Sequence, residues 1–593
     1  MADCRDIIVS EDYADFIVNF TGEDALAKEK FDVDCFQRIS SYYGIVYRPL
    51  NEISTLSLRN YSYNSIPALY GIMERDLAVR RKDLELALDE SGIARLQNQP
   101  SLKLKGQGCI MAFIDTGIDI FDEEFRFSNG DTRILLLWDM TDNTGRPPEG
   151  ILYGSEYTQE DINRVLRGNQ LEDGIDTEGN ESGRSEMIGR GERSGIAEIT
   201  GIGEIIGSRI GRDDIDHGNI LSAIAAGNSG AAPEAHIVVV KLKTAKKYLR
   251  DYFFVPDNVP AFQENDIMLA VNYVRNIALS MDMPISLCMT LGTNGRSHDG
   301  ASALSYILDR FASGVGAVVL LSTGDEGNKQ LHGTNVLKTP EVTGVLPNQG
   351  AIDSSWEYSL VEIRVDERQK GLFINIWGNK PGVISVGLVS PTGEVIERVA
   401  PRIGKSEIYN LIFDATTVTI EYDLVEADSS DELIIIRLEN PTPGIWSLRI
   451  YDADEKYNVY LPVSQFIYPN TYILEPSADI TIVDPAVASN VITTSLYNAR
   501  NGALYIDNGR GFGRNGSIKP DISSALSCAI TAGAACQFLN WGIVEGKDKE
   551  LRASDIKGYF IRGAIRANDI SYPDRQWGYG KLDVYNSFEV IRG

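Results

Sequence analysis

Three polar positions lie where a folded chain would bring them to one end of a buried sheet. Asp115 closes the apolar run CIMAFIDTG. His217 lies in DIDHGNILSAIAAG, where small residues follow it as if opening a buried helix. The third is the segment SSALSCAITAGAA (523–535), read as a helix start whose small residues let it pack close to its neighbours. A carboxylate that orients an imidazole, an imidazole that takes a proton and a hydroxyl that attacks a carbonyl together make nucleophilic acyl transfer. Singly, each has a plainer reading. An Asp at a strand end usually caps a helix, a histidine is usually structural, and serines at a helix start usually cap it. In this order and with these flanks they are far more specific together.

Strands have to present these groups. AHIVVVKLK, PISLCMTLGTN and GAVVLLSTGDEGN are further apolar runs that end in small or polar residues, with helix-like segments such as Asp266–Leu279 between them. Continuous apolar strands alternating with helices predict an α/β domain with a parallel sheet covered on both faces, whose ligands sit at the carboxyl ends of the strands. Residues 351–470 read differently. In LVEIRVD, Val361, Ile363 and Val365 face one way and Glu362, Arg364 and Asp366 the other; TVTIEYD and IWSLRIY alternate likewise. That pattern predicts an inserted antiparallel β-sandwich. Residues 1–97 mix short strand-like runs with a helix-like stretch, Ala68–Arg80, and end in an exposed linker around Asn98–Pro100. Residues 172–212, rich in Gly, Glu and Arg, read as a mobile surface loop. Their glycines at 201, 203 and 207 miss the dinucleotide-binding spacing by one residue.

Composition narrows the partners. Of 593 residues, 43% are hydrophobic and 24% charged, an ordinary globular balance, but the net charge is −28. So acidic a chain lacks the basic patch that nucleic acid or anionic lipid requires. No apolar run approaches the roughly 18 residues of a membrane span. The first twenty residues scatter five acids through their apolar positions, so no secretory signal is expected. Six widely spread cysteines without metal-ligand spacing read as free buried thiols in a reducing compartment. No metal and no cofactor is expected.

The motifs resemble those of the subtilisin-like serine proteases (subtilases). FIDTGID is similar to the aspartate motif. HGNILSAIAAG is similar to the histidine motif, with Asn219 where threonine is usual. TLGTN resembles the substrate-binding strand, which makes Thr290, Leu291 and Gly292 cleft residues. IKPDI and CAITAGAA resemble the surroundings of the nucleophile. Within the subtilases the resemblance is to the germination-specific Csp-type proteases of spore-forming anaerobes. It rests on VVVKLKTAKKYLRDYFFV, AFQENDIMLAVNYV, the sandwich insert and the ending WGYGKLDVYNSFEVIRG, and covers nearly the whole chain apart from 172–212. The resemblance implies an N-terminal α+β prodomain, a jelly-roll insert and a role in spore germination. Some members of that family are pseudoproteases.

Three departures then matter. Counting eight residues back from Gly533 places the family serine at 525, and this chain has Ala525 there. An alanine has no oxygen with which to attack a carbonyl. Ser524 and Ser527 are the fallback nucleophiles, but one or two helical residues rotate a side chain by about 100° or 200°. Asp325 stands where the resemblance puts the oxyanion asparagine. In subtilisin itself, loss of that donor costs roughly 3–4 kcal/mol. Finally, Ile522 runs directly into Ser523, without the loop and strand that relatives place there.

The expectation is a prodomain-like unit (1–97), a subtilisin-like domain in two parts (98–350 and 471–593) and a jelly-roll insert (351–470). Asp115, His217 and Ala525 would stand at the catalytic positions. The functional expectation is a Csp-type pseudoprotease, cytoplasmic or spore-associated, that retains its prodomain and acts on a protein partner as scaffold or sensor. The alternative is an active serine endopeptidase with a protein or peptide substrate.

Overall fold

The computed structural model describes residues 3–75, 80–173, 210–334, 358–403, 406–452 and 456–592. Most of the Gly/Glu/Arg-rich stretch 172–212 therefore lies outside the described residues. The apolar runs form an eight-stranded sheet in the order Ile522–Ala525, Ile492–Tyr497, Ala317–Ser322, Ile285–Met289, Ile110–Asp115, His236–Lys241, Ile134–Asp139, Ser155–Thr158. Its pairings are parallel, apart from the last strand, which is antiparallel. Helices cover it, including His217–Ala226, Glu264–Met281 and Cys528–Leu539. Val238, Val239, Leu287, Val319 and Leu320 are fully buried, as strands covered on both faces require.

The insert is two antiparallel sheets with a core of their own between them. Val361, Ile363 and Val365 point into that core while Arg364 is exposed, as the alternation predicts. The strands reach from His332–Gly333 to Tyr472–Ile473, beyond 351–470 on both sides. One sheet departs from the alternating pattern. Its strand Gly371–Gly378 is buried throughout, and so is Glu421. The outer face of that strand is not solvated. Phe373, Trp377, Leu433 and Ile435 pack with Phe16, Tyr63, Leu69 and Leu249 in a third core, which joins the insert, the N-terminal region and the α/β domain.

The N-terminal region is a three-stranded antiparallel sheet with two helices, Cys4–Val9 and Asp24–Phe31. Cys4 and Cys35 form a disulfide there, which corrects the reading of six free thiols; the other four cysteines are free and buried. The helix expected over Ala68–Arg80 is absent from the described residues of that span, 68–75 and 80. Leu69–Ile72 is the central strand of a small sheet between Leu291–Gly292 and Phe262–Gln263. Tertiary pairing overrides local propensity here, and Gly71 weakens the helical reading. The helices that follow, Arg81–Glu90 and Ile93–Asn98, pack together, and the second lies against the last helix, Val584–Arg592, where Arg95 pairs with Asp583 at 3.0 Å.

A buried ring stack lies between insert and α/β domain. Tyr460 is stacked between His298 and His332, with ring centroids 3.9 and 4.6 Å away. Burial pushes His298 down to about 3. The neutral ring is favoured in the folded protein, so its contribution is complete above pH 6.5 and is lost as the pH falls from 6.5 towards 3. The shift corresponds to about 4–5 kcal/mol. Denaturant titrations at pH 7 and pH 4 should show this loss, and His298→Phe should flatten it. An unchanged pH slope in that variant would refute the assignment.

Candidate active site

Asp115 ends its strand with its carboxylate buried. Oδ1 accepts the Thr116 backbone N–H at 2.7 Å and Oδ2 accepts the Thr290 hydroxyl at 3.4 Å. His217 is the first residue of helix His217–Ala226, entered through Asp216 in the left-handed region. The helix can approach this closely because residue 218 is glycine. A Cβ there would lie 2.4 Å from the Gly117 carbonyl oxygen and 3.1 Å from Cβ of Asp115. Asn219, where the family pattern has threonine, accepts the Asp119 N–H at 3.0 Å.

Nδ1 of His217 donates to Asp115 Oδ1 at 2.8 Å, the carboxylate–imidazole half of a triad. Nε2, which in such a triad serves the nucleophile, instead donates to the carbonyl oxygen of Met73 at 2.8 Å. Both ring nitrogens thus face acceptors, and the ring is an imidazolium. Burial pulls its pKa down, but the charge and hydrogen bond of Asp115, with the Met73 carbonyl and Glu74, outweigh it and carry it up to about 9.

Ala525 is fully buried at the end of strand Ile522–Ala525, opposite Tyr497. The segment 523–535 is therefore not helical from its start. Ser523 to Ala525 are strand, Leu526 turns the chain at φ +70, and Ser527 caps the helix Cys528–Leu539 through the Ala529 N–H at 3.1 Å. Both fallback hydroxyls are committed. Ser524 donates to the Ser527 carbonyl oxygen at 2.6 Å, and Ser527 donates to the Glu74 carboxylate at 2.6 Å.

The residues that bind these groups were not legible as site residues. Met73, Glu74 and Arg75 run as a strap through the cleft. Ile72 pairs with Leu291, Gly71 with Gly292, and the Met73 N–H donates to the Thr290 carbonyl at 2.8 Å. Glu74 is buried at φ +60, and its carboxylate also accepts the Cys528 N–H at 3.2 Å. Burial pushes it up to about 7. Asp325 accepts the Arg75 N–H at 3.4 Å, and burial raises it too. Asp325 is thus an acceptor matched to a backbone amide, not a hydrogen-bond donor facing the cleft. From the end of the insert, the Gln465 amide pairs with both the N–H and the C=O of Ile72, and Ser464 accepts from the Arg75 guanidinium at 2.9 Å. A cavity of about 190 Å³ lined by Glu74, Asp325 and Leu526 lies on one side of the strap, and one of about 340 Å³ lined by Ile72 and His217 on the other. Among the described residues, no three His, Cys, Asp or Glu side chains converge on a metal-sized point, and no helix is long and apolar enough to cross a membrane.

The sheet, its covering helices and the Asp115–His217 pair at its rim define the fold of a subtilisin-like serine protease. Among solved structures the likeness is to the CspB protease of Clostridium perfringens, 20% identical, with 86% of this chain and 97% of that chain covered at a TM-score of 0.67. The epidermin leader peptide processing serine protease EpiP of Staphylococcus aureus also matches, 9% identical over 98% of this chain and 99% of that chain at a TM-score of 0.40. No protein-family model and no curated protein matches the sequence.

Proposed function

We propose that this chain is a Csp-type pseudoprotease. It has a subtilisin-like fold without peptidase chemistry, it keeps its N-terminal prodomain covalently attached, and it acts in spore germination as a scaffold or sensor for a protein partner. One observation carries the reading: Ala525 stands at the nucleophile position while His217 Nε2 is bonded to the chain's own Met73 carbonyl. The cleft is occupied by residues 69–75 in the manner of a peptide, paired on both edges, and no group is left to cut it. The germination role rests on the sequence resemblance to the Csp-type proteins.

The other reading, a serine endopeptidase working through Ser524 or Ser527, meets two hydroxyls already donating elsewhere and an imidazolium that cannot act as a base. A fluorophosphonate probe separates the two. The purified full chain should take up no label, should not turn over casein, and should keep an intact mass near 65.4 kDa. Labelling at Ser524 or Ser527, or a self-generated break between residues 75 and 100, would support the active enzyme instead.

A further inference from the structure

We propose that Cys288 and Cys528 form a two-thiol redox site, in which a peroxide converts the pair to a disulfide that fastens the two walls of the cleft around the strap. The inference goes beyond the pseudoprotease reading and does not depend on it. The two sulfurs lie 3.6 Å apart, although the residues are 240 positions apart in the chain. A disulfide needs about 2.05 Å, so closure asks for about 1.5 Å shared between two side chains. Of the remaining cysteines, Cys4 and Cys35 are already joined, and Cys109 and Cys536 are a second neighbouring thiol pair away from the strap. The Cys109 thiol faces the Cys536 carbonyl oxygen at 3.6 Å.

Position gives the pair its meaning. Cys288 lies in strand Ile285–Met289, which leads directly into Thr290, Leu291 and Gly292, the residues that pair with the strap. Cys528 is the first residue of helix Cys528–Leu539, and its N–H holds the Glu74 carboxylate. One bond would thus tie the strand that grips residues 71–73 to the helix that grips residue 74.

Reactivity is held back at rest. The hydrogen bond with Cys288, burial and the neighbouring Glu74 carboxylate all keep the Cys528 thiol protonated, and a thiol is a poor nucleophile until it loses its proton. Glu74, whose carboxyl is pushed up to about 7, is the acceptor at hand. With Leu526 it also lines a cavity of about 190 Å³ beside the pair, ample for a molecule little larger than water, although both cysteines are buried and neither lines it. In the first step one sulfur attacks a peroxide oxygen. The O–O bond breaks, and the departing hydroxide leaves as water with the thiol's proton, so that a sulfenic acid forms. The second sulfur then attacks the sulfenic sulfur. The S–O bond breaks, and hydroxide leaves as a second water with the second thiol's proton. Two thiols and one hydrogen peroxide give one disulfide and two waters, the thiols losing two electrons and the peroxide gaining them.

The test treats the full chain with hydrogen peroxide, alkylates it in denaturant without reductant and maps the peptides by mass. The expected product is a linked peptide pair carrying Cys288 and Cys528, with loss of two hydrogens from the intact mass, reversed by dithiothreitol. Amide exchange at residues 71–73 should slow in the oxidised form. Cys288→Ala and Cys528→Ser should each abolish the link, and Cys109→Ala should keep it. Should a variant fail to fold, the peptide map of the unaltered chain decides alone. A link between Cys109 and Cys536 in place of this one would overturn the proposal. So would both thiols remaining alkylatable, or Cys528 going to the sulfinic acid unlinked. An unchanged exchange rate at 71–73 would overturn the fastening.

Discussion

Restoring the serine should not restore the protease. Ala525→Ser, alone or with Asp325→Asn, is expected to leave casein and peptide turnover at least about a thousandfold below that of an active relative, because triad members act as a unit and two correct groups with a misplaced third gain little. Three features oppose rescue. The position lies in a strand, immediately before a turn at φ +70, so a new hydroxyl would be aimed by a different backbone from the helix start expected of a nucleophile. His217 has a pKa of about 9 and is bonded through Nε2 to Met73, so at pH 7 only about one molecule in a hundred carries a neutral ring. The strap itself is paired with Leu291–Gly292, the strand whose sequence resembles a substrate-binding strand. Raising the assay pH above 9 frees the base but leaves the strap bound. Turnover of the double variant within a few fold of an active relative would show that Ala525 and Asp325 alone account for inactivity.

Removing one buried cation should loosen the strap's anchorage. Arg296 is buried against Glu264, the first residue of helix Glu264–Met281, and it also donates to the carbonyl oxygens of Ile66 at 3.0 Å and Tyr63 at 3.5 Å. Glu264 in turn accepts the Ala68 N–H at 3.1 Å. The pair therefore ties residues 63–68, just before the strap, to the α/β domain. Arg296→Leu strands a buried carboxylate and is expected to destabilise the chain by about 3–5 kcal/mol. Denaturant unfolding measures this, and limited proteolysis should cut earlier between residues 63 and 75. Adding Glu264→Leu should recover most of the loss, since no uncompensated charge remains. If Arg296→Leu is neutral, or the second change deepens the loss, the anchor lies elsewhere.

The acceptor at residue 325 and the alanine at residue 525 illustrate two kinds of legibility. That no hydroxyl stands at 525 holds for any fold this chain adopts, because it is a matter of atoms. The parallel sheet was legible for a related reason. Runs such as HIVVVK are apolar on both faces, and only a sheet covered on both sides satisfies them. The insert's alternation was legible in Tyr358–Val365 but concealed in Gly371–Gly378, where a second core covers what would otherwise be the wet face.

The composition and order of the chain by themselves determined the fold class, pointed to Asp115 and His217, and fixed that residue 525 carries no hydroxyl, since local pattern and residue chemistry carry all three. Tertiary structure alone decided what fills the cleft. Leu69–Ile72 becomes a strand by pairing with Leu291–Gly292, some two hundred residues away, and no local pattern records such a pairing. Only that pairing brings the Met73 carbonyl to His217, where it helps hold the ring as an imidazolium. Only there does Asp325 become an acceptor for a backbone amide, because the role of a buried polar group is set by the partner that folding places against it.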